Sequence, residues 1–99
     1  MTSEQVLTAV KLAMAITSDA YDDELTDLIG AAEEDLNSNG IKATDLIAEG
    51  NSLVLQAIKT YCRVHFQSPA DYDRLLASYE EQKGHMRNCT GYTTWPGVV

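Results

Sequence analysis

The chain has 99 residues, with 7 Lys and Arg against 15 Asp and Glu, a net charge of −8, and 44% apolar residues. A domain of this length buries roughly 60–70% of its unfolded surface, so there is one small core and association is a natural source of further stability. The acidity opposes binding to nucleic-acid phosphate, which Lys and Arg drive by displacing counterions, and no run approaches the ~20 apolar residues of a membrane span.

The N-terminus lacks a basic segment followed by an apolar one, so the chain reads as soluble and unexported. Cys62 and Cys89 are too few for a disulfide scaffold and are not spaced as C-x-x-C, which makes a reducing cytoplasm the default compartment. Charge is unevenly held: residues 1–50 carry 11 acids and only Lys11 and Lys42, a net −9, whereas residues 51–99 carry 4 acids and 5 bases, a net +1. The front half therefore suits a basic partner, or a negative wall that DNA slides past without sticking.

Thr2-Ser3-Glu4-Gln5 forms a capping-box pattern ahead of Val6, Leu7, Val10 and Met14, which predicts a first helix over about 3–14. After a turn at Ile16–Asp19, with Asp19 or its neighbours as cap, a second helix runs to about Asn37. Its apolar stripe is Leu25, Leu28, Ile29, Ala32 and Leu36 at i, i+3, i+4, i+7 and i+11. Asp22, Asp23 and Glu24 complement its N-terminal dipole, and Asp23, Asp27, Glu33 and Glu34 coat the other side. Asn37-Ser38-Asn39-Gly40 is a stop signal with Gly40 in the left-handed position.

Residues 41–50 read as a loop with a possible turn at Leu46–Ala48. From Ser52 to Gln67 a third helix is expected, with Gln56, Lys59, Thr60, Arg63 and Gln67 as one narrow polar stripe. Apolar residues on most of its circumference make it either the central helix or a helix with one flank, Leu53, Leu55 and Cys62, on another subunit. Ser68-Pro69-Ala70-Asp71 opens a fourth helix, whose inward face is Tyr72, Leu75, Leu76, Tyr79, Lys83 and Met86. The uncharged tail after residue 87 is β-prone and turn-rich, and Tyr92 and Trp95 either plug the core or contact another chain. The expected architecture is all-α, a bundle of about four helices over 1–87 with a short irregular or β-prone tail over 88–99 that either folds back on the core or forms an interface arm. Leu25, Leu28, Ile29, Ala32, Ile58, Tyr61, Leu75 and Leu76 are expected to share one core.

Two constellations resemble metal sites and fail on register. Asp35–Leu46 has oxygen ligands at positions 1, 3 and 5 and Gly at 6 of a calcium loop, but Leu46 stands where the bidentate Glu belongs. A helix C-cap followed by a turn explains the same Asn and Gly residues. Cys62-x-x-His65 and His85-x-x-x-Cys89 are spaced unlike a compact zinc site, and a thiol in an apolar run is ordinary packing. No nucleophile elbow, phosphate loop or paired-carboxylate pocket emerges, so no catalytic, cofactor or metal residues are assigned and the chain is not expected to be an enzyme.

The short opening helix, the acidic D-D-x-L-x-x-L-I-x-A-A helix at Asp22–Ala32, and the Leu53–Phe66 helix followed by the tyrosine-bearing Tyr72–Tyr79 segment resemble the head–tail connector (head-completion adaptor) proteins of tailed bacteriophages. The resemblance covers about residues 4–80, and Gly91–Val99 match no motif of that family. It implies a structural protein of the virion, assembled in the host cytoplasm. Its copies would form a ring under the portal protein, extend the DNA channel and dock the tail or a stopper protein, with no sequence-specific nucleic-acid binding and no membrane. Asp23, Asp27, Glu33 and Glu34 would then line the channel, and Leu53, Leu55, Cys62, Tyr92 and Trp95 would form the subunit or partner interface. A rival reading is a small acidic helical regulator or antitoxin-like adaptor that binds a basic protein through the Asp22–Glu34 face.

Overall fold

The Thr2–Gln5 capping box forms as its sequence dictates. The Gln5 amide donates to the Thr2 hydroxyl at 3.2 Å and the Thr2 amide to the Gln5 side chain at 2.8 Å, starting α1 (Ser3–Ala13). A computed structural model describes residues 1–66 and 72–88 and continues with α2 (Asp22–Ser38), α3 (Ala43–Ala48), α4 (Ser52–Phe66) and α5 (Tyr72–Arg87). The fold is all-α, with no strand among the described residues.

Three helices end in the same device, a residue in the left-handed region whose amide and the next one bond back to the last turn. At Gly40 (φ 86°) the Gly40 and Ile41 amides donate to the Asn37 and Leu36 carbonyls. Gly50 (φ 80°) does the same for α3, with the Gly50 and Asn51 amides on Ile47 and Leu46. After α1 the position falls to Ala15 (φ 57°), where a Cβ makes the conformation costly.

The described residues form five helices rather than about four, because residues 43–48 form α3 where a loop with a possible turn was expected. Six residues are too few to show a helical period, and tertiary contacts supply the support. Ala43 and Ile47 are buried, as is Ile41 just before, and the Asn37 side chain accepts from the Ala43 amide at 3.0 Å and donates to the Thr44 hydroxyl at 3.0 Å. The start of α2 also differs from expectation: its N-cap is Tyr21, with no side-chain cap bond. Asp19 turns instead toward Lys11, whose ammonium bridges Asp19 at 3.0 Å and Asp22 at 2.8 Å and ties the end of α1 to the start of α2. The hydrogen bonds to Asp22 and then Asp19 raise the Lys11 pKa, against an opposing effect of burial that exceeds the charge attraction of either carboxylate.

α4 is the central helix and packs against α1, α2, α3 and α5. Asn51 caps it by accepting from the Val54 amide at 3.0 Å. Val54, Ala57, Ile58 and Cys62 enter a core with Leu25, Ile29, Ala32 and Leu36 of α2, Val6 and Val10 of α1, and Tyr79 and Met86 of α5. Leu28 and Tyr61 pack against that core half-buried, and Leu76 is half-buried as well. Leu75 is buried. Two assignments by helical stripe are corrected. Thr60 is buried rather than part of the polar stripe, its hydroxyl returned to the Gln56 carbonyl at 3.0 Å, and Tyr72 is exposed rather than inward. Periodicity places a residue on a face, but the width of the neighbouring helix decides how much of that face is covered. The caps read at Ser68–Asp71 and most of the tail, including Tyr92 and Trp95, lie outside the described residues.

Candidate interaction surface

α2 contains seven carboxylates and no cation. Among the described residues two of the seven have an ion-pair partner, Asp22 with Lys11 and Asp35 with Lys83. Asp23, Asp27 and Glu34 are exposed along one line of the helix, and Asp23 and Asp27, four residues apart, repel each other. Glu33 stands apart from this line. It is half-buried on the side of α2 that meets α3, and burial pushes its carboxyl above the usual Glu value, with a smaller opposing effect from a hydrogen bond to Thr44. The four acids read from the sequence as one face are thus an exposed stripe of three and a separate carboxylate on a groove wall.

That groove, of about 380 Å³, lies between the start of α1, the middle of α2 and α3. Val6, Ile29 and Ile47 form its apolar floor, and Thr26, Glu33 and Thr44 its polar walls. Gly30 leaves its side open, since nothing lies within 4 Å of where a Cβ would stand. The Met1 ammonium donates to the Ala48 carbonyl and closes one end.

The flank Leu53, Leu55 and Cys62, expected as one interface, does not form a single surface. Residues 53 and 62 are nine positions apart, about 180° round a helix of 3.6 residues per turn. Leu53 is 41% exposed, Leu55 packs half-buried on the core, and Cys62 is wholly buried inside the subunit. Burial pushes the Cys62 thiol up to about 12, which leaves it a small apolar core residue. Leu12 at the end of α1, 77% exposed, is an apolar surface residue that the sequence reading passed over.

A polar cluster joins α2 to α5. The Tyr79 hydroxyl donates to Asp35 at 2.6 Å, and the Lys83 ammonium sits 3.1 Å from the same carboxylate oxygen, 3.1 Å from Glu80 and 4.8 Å from the Tyr79 ring centroid. Burial alone would raise the Asp35 pKa, but the Tyr79 and Lys83 hydrogen bonds and the Lys83 charge outweigh it and hold the carboxyl below its ordinary value. Tyr79 moves the other way, its ionisation suppressed by burial and by the neighbouring carboxylate. Tyr61 of α4 meets Tyr79 edge-on at 5.4 Å and its own neighbour His65 at 4.3 Å. The first position of the apparent calcium loop is therefore an internal anchor, and the Asn and Gly residues after it are the C-terminal cap of α2. The inward placement of Lys83 one turn after Tyr79 was the sequence signal for this cluster; its partner 48 residues away carried none.

Among the described residues no group of three or more His, Cys, Asp and Glu converges as a metal site, and no helix is long and apolar enough to cross a membrane. What the surface offers is charge of one sign on α2, a groove with one desolvated carboxylate, and the opposite sign on α4. Residues 6–93 match the model of a family described as phage connector protein. Comparison with curated proteins found no match, and comparison with solved structures found none either.

Proposed function

From the premise that the chain belongs to the phage connector protein family, a structural family of the virion, we propose that it is a head–tail connector. Its copies form a ring beneath the portal protein, extend the DNA channel and provide the surface on which the tail or a stopper protein docks. The family match over residues 6–93 carries this reading. The acidic exposed line of Asp23, Asp27 and Glu34 supports it, because a channel wall that repels phosphate lets DNA pass without holding it. Assembly takes place in the host cytoplasm, and the contacts are between proteins.

The test is a phage from which this gene has been deleted. Heads are expected to lose packaged DNA or to remain tailless, and supplying the chain from a plasmid is expected to restore infectious particles. Heads that retain DNA and join tails normally without the chain would overturn the connector reading and favour a regulator that binds a basic protein.

A further inference from the structure

We propose that the C-terminal tail folds back on its own subunit, the Trp95 indole seating in a groove between α4 and α5 and donating its N–H to the Gln82 side chain. The inference stands independently of the connector reading.

α4 and α5 pack against each other, and where α4 begins and α5 ends they leave a groove of about 220 Å³. Leu53, exposed, and Met86, buried, are its apolar lining, and Glu81 and Gln82 are among its polar residues. The Gln82 Oε1 is shielded from water yet has no hydrogen-bond partner among the described residues. An acceptor left unpaired in this way costs the desolvation of its carbonyl, so the groove lacks a donor. It also lacks an apolar cover for Leu53. Its volume falls below the roughly 300–1,000 Å³ of small-molecule sites and suits one large side chain.

The tail supplies both. Residues 88–99 hold no charged side chain, so no ion has to leave water. Trp95, the single tryptophan of the chain, joins a large apolar surface to an N–H that donates and cannot accept. The distances match as well. The Asn88 amide donates to the His85 carbonyl at 3.2 Å, so the chain leaves α5 at one end of the groove. Asn88–Gly91 carry Asn and Gly at the two ends of a four-residue segment, suited to a reversal that brings the chain back to within about 7 Å. Three further steps of extended chain, about 10 Å, then place Trp95 alongside Gln82, six residues or about 9 Å back along α5. Side chains alternate along an extended segment, so Tyr92, three positions earlier, faces away. The subunit's own tail is favoured over that of a second copy, because so short a tether holds the indole at an effective concentration on the order of millimolar. Leu53 and Trp95, expected from the sequence in an interface with another chain, then meet within one subunit.

Because Trp95 is single, its fluorescence reads the contact in the full chain, at concentrations where sedimentation velocity shows a monomer. The folded chain is expected to emit to the blue of the urea-unfolded chain and to resist quenching by acrylamide. Leu53→Glu, a change at an exposed position, is expected to return both readouts to those of the unfolded chain while far-UV circular dichroism stays that of the folded protein. Tyr92→Ala is expected to leave them as in wild type. Gln82→Met keeps the bulk and removes the acceptor, and is expected to speed hydrogen exchange of the indole N–H about two- to tenfold, the worth of one neutral hydrogen bond. In the wild-type monomer, nuclear Overhauser effects from the indole to the Leu53 methyl groups are expected, which reads the contact without any substitution. Their absence, protection of Trp95 that survives Leu53→Glu, or indole exchange unchanged by Gln82→Met would each overturn the proposal. Protection that appears only as copies associate would seat the tail on a neighbour and overturn it too.

Discussion

Replacing Asp35 by Ala removes the carboxylate shared by Tyr79 and Lys83 and so tests whether the polar cluster fastens α5 to α2. Two charge-assisted hydrogen bonds are lost, at 2.6 and 3.1 Å, each worth about 1.5–3 kcal/mol. The Lys83 side chain, 7% exposed, keeps only Glu80, which is 58% exposed and screened by water. An uncompensated buried charge costs about 3–5 kcal/mol. Asp35 itself is 36% exposed, so water already competes for it, and the discounted expectation is about 2–4 kcal/mol. For a domain of this size that lowers the melting temperature by about 10–25 °C. Urea unfolding followed by far-UV circular dichroism measures the loss. Adding Lys83→Met to Asp35→Ala is expected to return part of it, since the ammonium left without its partner is then gone. The pH dependence follows from the same geometry. The folded-state pKa of Asp35 lies below its ordinary value of 3.8, so its contribution is present above that value and is lost as pH falls through the lower, folded-state one. The acid limb of stability should be flatter in Asp35→Ala. A cost below about 0.5 kcal/mol, within the range of an ordinary surface substitution, or strictly additive single and double variants, would refute the reasoning.

Leu36→Ala, at a wholly buried core position, is expected to cost about 2–5 kcal/mol by chemical denaturation, and Leu28→Ala, only half-buried, clearly less. Ala15→Gly is expected to raise stability by about 1 kcal/mol, because glycine adopts the observed φ of 57° without the Cβ clash; a lower melting temperature would contradict this. Cys62 is expected to resist thiol alkylation in the folded protein and to react only on unfolding, read by mass spectrometry of the digested chain, since its thiol is buried and pushed up to about 12.

The local grammar of this chain determined a good deal without any tertiary information. Thr2 and Gln5 cap α1, Gly40 ends α2, and the Leu25–Leu36 stripe faces the core. Each is a relation between residues at most eleven positions apart, where hydrogen-bond geometry and the 3.6-residue period act directly. The acidity of α2 was equally legible, since charge is a property of composition. Its division was legible only in part: the 3.6-residue period already sets Glu33 off the line of Asp23, Asp27 and Glu34, but its withdrawal from water depends on α3 packing beside it, and α3 is itself too short to announce a period. The apolar girth of α4 allowed either a central helix or a subunit contact, and packing on four neighbouring helices decided for the first, taking Cys62 out of any surface. Asp35 and Lys83 lie 48 residues apart, and no local pattern pairs them. Their meeting exists only because α2 and α5 both pack on α4, which brings within side-chain reach a carboxylate half out of water that needs a cation and a nearly buried ammonium that needs a carboxylate.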